Sequence, residues 1–166
     1  MRKRAIVLIV LAVALILAKN QPYACCESED GYFTICQPDS SVCVREHAKR
    51  TSQQTGYLTL GDWVASDGRT ENGYTHVIGI TEAGEGWVFS GYLVEDEPVI
   101  EEKEARIKSN GRVACRRYVN GARRKWLKNG DKVVVYAWCE EWCITNQGFI
   151  KTEYLSAEQN TETGKQ

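Results

Sequence analysis

Three observations predict an all-β chain of two small tandem barrels. The first is a pattern that occurs twice: residues 60–64, LGDWV, are followed by 87–93, WVFSGYL, and residues 129–133, NGDKV, by 149–155, FIKTEYL. Such spaced self-similarity marks repeated modules. The second is a series of short β-prone runs with turn signals every 7 to 12 residues, the rhythm of a barrel or sandwich. The third is the lack of helical apolar periodicity past the first 24 residues. At 166 residues the chain divides into two modules of roughly 55 to 60 residues each, small enough to need staples.

Residues 1–24 stand apart. A positive start, Met1 to Arg4, precedes an unbroken apolar run of 14 residues, 5–18, and a polar stretch up to Ala24. Charge, length and order are those of a secretory signal. The run is shorter than the roughly 20 residues a spanning helix prefers, so the segment is expected to be a signal peptide or a retained membrane anchor. Export predicts an extracellular or cell-envelope location. It also gives the seven cysteines an oxidising compartment. Cys25, directly after Ala24, is a lipidation candidate, and Cys26, Cys36, Cys43, Cys115, Cys139 and Cys143 are disulfide candidates whose fifteen pairings the sequence does not rank.

The first module is expected over 25–94. A short run at 32–36 and the strand VCVR at 42–45 form a hairpin in this reading, with Cys36 and Cys43 facing each other near its end. A polar excursion covers 46–56, a strand 57–60 meets the turn at Gly61 and Asp62, and a polar loop is expected at 66–73. Strands follow at 74–80 and 87–89, and 90–93 reads as one tight helical turn. Residues 95–105, acid-rich with one proline, are expected to be a linker. The second module, 106–155, repeats the order: VACR at 113–116, a turn signal at Asn120 and Gly121, the turn at Gly130 and Asp131, the strand KVVVYAW, and a closing FIKTEYL. Residues 156–166 read as a disordered tail.

Taken in order, VCVRE, TLGDWV and GEGWVFSGYL in the first copy, and VACRR, KNGDKVVVY and GFIKTEYL in the second, resemble the bacterial SH3 (SH3b) domain. The resemblance implies a partly open SH3-like β-barrel in each copy, with Trp87, Tyr92, Phe149 and Tyr154 in core positions. It also implies an envelope setting, with binding of wall peptide or glycan. The copies depart from the family pattern in the loop after the strand arginine, where Glu46, His47 and Ala48 stand in one and Arg117, Tyr118 and Val119 in the other. Phe149 replaces the closing tryptophan of the second copy.

The net charge of −1 conceals an asymmetry. Residues 25–98 hold 13 acids against 4 bases, and residues 99–155 hold 12 bases against 7 acids. The modules therefore present opposite charge to partners or to each other. Trp63, Tyr74, Trp138 and Trp142 are the groove candidates, since exposed rings stack on sugars or clasp peptides. Arg116, Arg117, Arg123 and Arg124 form a basic cluster suited to an anionic wall polymer. Nucleic acid is disfavoured by export, and membrane contact is expected only through the N-terminal segment or a lipid on Cys25.

A thiol enzyme would need a cysteine beside a positioned base, and only His47 and His76 are present. Only 11 residues follow Leu155, too few for a separate catalytic domain, so no catalytic residue is expected. Cys139 and Cys143 have no second pair at zinc spacing, and neither metal nor cofactor is expected. The expected function is an exported, non-enzymatic protein binding peptidoglycan. The alternatives are an interaction module that docks an envelope protein or a second copy through its charged faces and, third, a small thiol enzyme.

Overall fold

A computed structural model describes residues 31–80 and 84–157. The expected signal or anchor segment, Cys25, Cys26 and the residues beyond 157 lie outside the described residues. Among the described residues no helix is long and apolar enough to cross a membrane. Within the described residues all regular structure is β, apart from two single 3-10 turns.

The first module contributes β1 (Gly31–Thr34), β2 (Val42–Arg45), β3 (Gln54–Leu58), β4 (Trp63–Glu71), β5 (Tyr74–Ile80), β6 (Gly84–Phe89) and β7 (Leu93–Val94). The second contributes β8 (Val99–Ile107), β9 (Val113–Arg116), β10 (Arg123–Leu127), β11 (Lys132–Trp138), β12 (Trp142–Thr145), β13 (Gly148–Lys151) and β14 (Leu155–Ala157). Their strand orders are β3-β2-β6-β5-β4-β1-β7 and β10-β9-β13-β12-β11-β8-β14. The two orders are identical strand for strand. Each is an open sheet of seven strands rather than a closed ring.

Equivalence extends to register. Val42 faces Leu58 and Cys43 faces Tyr57 in one sheet; Val113 faces Leu127 and Ala114 faces Trp126 in the other. Arg45 lies opposite Trp87, and Arg116 opposite Phe149. The Gly-Asp turns are the same device twice. Gly61 and Gly130 sit at φ +88° and +83°, a region open to glycine at no steric penalty. Their amides donate to the carbonyls of Thr34 and Ile107, both at 2.8 Å. The Asp62 carboxylate accepts from the Thr59 amide at 2.6 Å, and that of Asp131 from the Lys128 amide at 2.8 Å. After the 3-10 turns Ser90–Tyr92 and Thr152–Tyr154, the Tyr92 and Tyr154 carbonyls accept from Ile35 and Lys108, both at 2.9 Å. The repeated Asp and Tyr-Leu are therefore fixings for the first strand of each module. Asp131→Ala is expected to lower stability by about 1 to 2 kcal/mol, the worth of a charge-assisted bond at a half-exposed site. Urea unfolding checks it, and Asp131→Asn should recover part of the loss.

Three expectations are corrected. The 32–36 run does not form a hairpin with 42–45: β1 pairs with β4 and β7, while β2 pairs with β3 and β6. The Gly61 and Asp62 turn fixes β1, with the Thr34 hydroxyl bonding the Thr59 and Asp62 carbonyls, so Cys36 and Cys43 do not set the register. The acid-rich linker is a strand from Val99 on. Ala105 and Ile107 point into the core while Glu101, Glu102 and Glu104 point to water, and β11 pairs with it along its length. The polar loop at 66–73 is a hairpin arm. β4 runs to Glu71 past an irregularity between Ser66 and Thr70, and Asn72 and Gly73 at φ +52° and +78° turn it into β5 as a two-residue hairpin loop does.

Each sheet curls over its own core: Val42, Val44, Leu58, Val64, Val77 and Val88 in the first, Val113, Leu127, Val133, Val135, Cys143 and Ile150 in the second. A third cluster joins them. Ile35 and Val94 of the first module pack with Ala137, Cys139, Trp142, Ile144 and Phe149 of the second. Strand β12 is buried at all four positions because Cys143 faces its own core and Trp142 and Ile144 face the other module. Double burial erases the alternation that marks a half-exposed strand.

Candidate functional site

The module junction forms a cleft of about 540 Å³. Its floor is the outer side of β2, with Cys43 and Arg45; one wall is Tyr74 at the start of β5, Phe89 at the end of β6 and Tyr92 in the 3-10 turn. Arg50, from the loop after β2, stands at one rim. Arg117 and Tyr118, from the loop after β9, supply the opposite wall.

The rings make a connected edge-to-face group. Centroids lie 5.4 Å apart for Tyr74 and Phe89, 6.0 Å for Phe89 and Tyr92, and 4.8 Å for Phe89 and Tyr118, all in the range of favourable aromatic pairs. Two glycines fix Tyr118. A Cβ at Gly91 would meet its ring at 2.6 Å and one at Gly121 at 2.4 Å. The Val119 amide donates to the Gly91 carbonyl at 3.0 Å, tying the loop of one module to the turn of the other. Burial raises the Tyr92 phenol's pKa, with smaller contributions from Cys36, Tyr118 and Cys43, so it enters the site as a neutral hydroxyl.

Charge in the cleft is of one sign. The Arg45 guanidinium donates to the Ser52 carbonyl at 2.9 Å, which holds it in place without neutralising it. Arg50 and Arg117 have no side-chain hydrogen bond or ion pair among the described residues, and no carboxylate lines the cleft. Three cations around aromatic walls suit a ligand that presents a carboxylate or phosphate together with an apolar or ring surface.

Of the ligand-binding candidates named from the sequence, Tyr74 and Arg117 meet here, beside Cys43, expected in a disulfide, and Tyr92, expected in the core. Arg124 borders a smaller recess of about 200 Å³ beside the cleft, shared with Tyr92 and Arg117. Trp142 is a core residue, 3% exposed, with its indole N–H unpartnered among the described residues. Trp138 packs on the second core. Trp63 is exposed on the outer side of β4, its indole over Gly31. The Arg116 guanidinium donates to the Gly121 carbonyl at 2.7 Å, and Arg123 stacks over Trp126 at 4.5 Å. Phe89, Tyr118, Arg45 and Arg50 were not foreseen. The available signal for Tyr118 was the divergence of the two loops after the strand arginines.

Cys36, Cys43, Cys115, Cys139 and Cys143 carry free thiols. Burial raises the pKa of Cys36 and Cys115 and pushes Cys139 to about 12 and Cys143 to about 11. His76 is buried, with its ring nitrogens 3.0 Å from Asp67 and 2.8 Å from Arg69 and its ring 5.0 Å from Trp87. His47 is exposed near Glu46. Among the described residues neither histidine has a cysteine partner, and no group of three metal-ligating side chains converges.

No family model and no curated protein matches the chain. Among the solved structures similar to it, at low TM-score, are NlpC1 and NlpC2 from Trichomonas vaginalis, at 18% and 16% identity, each over 76% of this chain with a TM-score of 0.31. The aligned part spans 44% and 46% of those two chains, less than half of either.

Proposed function

We propose that the chain is an exported, non-enzymatic wall-binding protein of two SH3b-like modules, and that the junction cleft takes an anionic peptide of the bacterial envelope. The observation that carries this is the meeting of Arg45, Arg50 and Arg117 with Tyr74, Phe89, Tyr92 and Tyr118 in one cleft without an acid. A stem peptide offers carboxylates to the guanidinium groups and aliphatic side chains to the rings. The repeated strand order and matched Gly-Asp and Tyr-Leu fixings support the SH3b-like reading. A binding role is supported further by thiols held protonated in the interior and by a histidine committed to Asp67 and Arg69.

Retention of the exported chain on purified peptidoglycan sacculi tests the proposal. Replacing both free cations, Arg50→Gln with Arg117→Gln, is expected to weaken retention about tenfold or more, as loss of paired charge contacts does. Tyr118→Ala should act in the same direction. Absence of retention by the unaltered chain, or equal retention by the double variant, would sink the reading.

A further inference from the structure

The second module carries the counterpart of the junction cleft. A groove of about 260 Å³ is lined by Arg112, Val113, Ala114, Arg116, Trp126, Lys151, Glu153 and Tyr154. By strand register and turn position, six of these correspond to cleft residues of the first module. Arg116 corresponds to Arg45 and Tyr154 to Tyr92, each arginine bonded to a carbonyl of the loop that follows it, at 2.7 and 2.9 Å. Lys151 replaces Phe89, as the pairs Trp142–Lys151 and Tyr74–Phe89 show. Arg112 replaces Ser41 one residue before the paired strand.

These replacements change what the groove recognises. Phe89 and Ser41 become cations, and among the described residues no counterpart of Tyr118 covers the site. Arg112, Arg116 and Lys151 line it, and Arg123 stacks over the Trp126 ring at 4.5 Å. One carboxylate, Glu153, is present, and it raises the pKa of the neighbouring Tyr154 phenol. An open trough with cations along it suits a linear ligand whose charges repeat, held by point contacts rather than by enclosure of a ring.

We infer that this groove is a second binding site, separate from the junction cleft, and that its ligand is a phosphodiester-linked polyol chain of the envelope. A phosphodiester gives each unit two free oxygens for a guanidinium fork and keeps its charge throughout the physiological pH range. Trp126 covers the uncharged polyol between phosphates. The choice of an envelope polymer over other polyanions rests on the exported, wall-binding reading; the site itself does not.

The test measures affinity of the full exported chain for a purified glycerol-phosphate polymer across a salt series. Arg112→Gln with Lys151→Gln is expected to weaken binding about tenfold or more and to reduce the slope of log affinity against log salt by about two. Lys128→Gln with Lys132→Gln, an equal loss of charge outside the groove, should stay within about twofold. No binding at about 50 mM salt, or equal loss in the two double variants, overturns the inference. Tighter, groove-dependent binding of duplex DNA or of anionic phospholipid vesicles would also overturn it, by assigning the groove to nucleic acid or membrane. Sacculi stripped of phosphodiester polymer keep the two proposals apart: they remove the ligand of this groove and leave that of the junction cleft.

Discussion

Gly148→Ala is expected to destabilise the second module by about 3 to 5 kcal/mol, a large share of the stability of a domain of this size. Gly148 sits at φ +130°, a region essentially closed to side chains. A Cβ there would lie 2.5 Å from the Arg116 carbonyl oxygen and 2.9 Å from the Cys115 sulfur. The first is backbone and the second is buried and bonded to the Gln147 carbonyl at 3.0 Å, so neither gives way cheaply. Gly130 is the control. It too has positive φ, +83°, but a Cβ there meets nothing within 4 Å, and Gly130→Ala should lose only about 1 to 2 kcal/mol from backbone strain. Urea midpoints of the two variants decide it: equal losses would mean that β13 does not approach β9 as closely as described. In the first module Gly86 stands at the matching position, with a Cβ 2.9 Å from the Arg45 carbonyl. Both copies thus use glycine where the returning strand crosses the arginine.

Trp142→Ala is expected to lower stability by about 3 to 5 kcal/mol, the range for removing a buried aromatic ring. It should also split one unfolding transition into two. Trp142 is the largest side chain of the cluster shared by the modules, and its loss removes apolar contact from both sides at once. Trp142→Phe should lose much less. It keeps most of the ring and removes an indole N–H with no partner among the described residues, a group whose burial costs about 1 to 3 kcal/mol. Differential scanning calorimetry reads both outcomes. A single transition in Trp142→Ala, within about 1 kcal/mol of the parent, would show that the shared cluster does not couple the modules.

The duplication was legible because each repeated residue serves a local need: glycine for a positive φ, aspartate for the amide three residues back, tyrosine and leucine to bring the chain back beside its first strand. VCVR and VACR, with alternating valines and cysteines, gave strands with the bounds found. Two strands were obscured by context. In β8 the acids occupy the solvent side and the inward side ends in Ala105 and Ile107, so composition outweighed pattern. The second arm of β4 reads as polar because both its faces are exposed, although the turn residues Asn72 and Gly73 were there to be used. The cleft was harder still. Tyr74 and Phe89 pair within the first module, but Tyr118 joins them only through contact between modules, and no local periodicity encodes that. Trp142 illustrates the same difficulty: tryptophan at a strand start suits an exposed platform and a shared core equally well, and the neighbouring module decides.

The loop carrying Arg117 and Tyr118 has a consequence for the order of assembly. The first module contributes the floor and one wall of the cleft, but its other wall lies in sequence beyond the whole of β8 and β9. A nascent chain that has folded only its first half has the rings of Tyr74, Phe89 and Tyr92 but no enclosed site. The cleft therefore has both its walls only once the loop after β9 is in place.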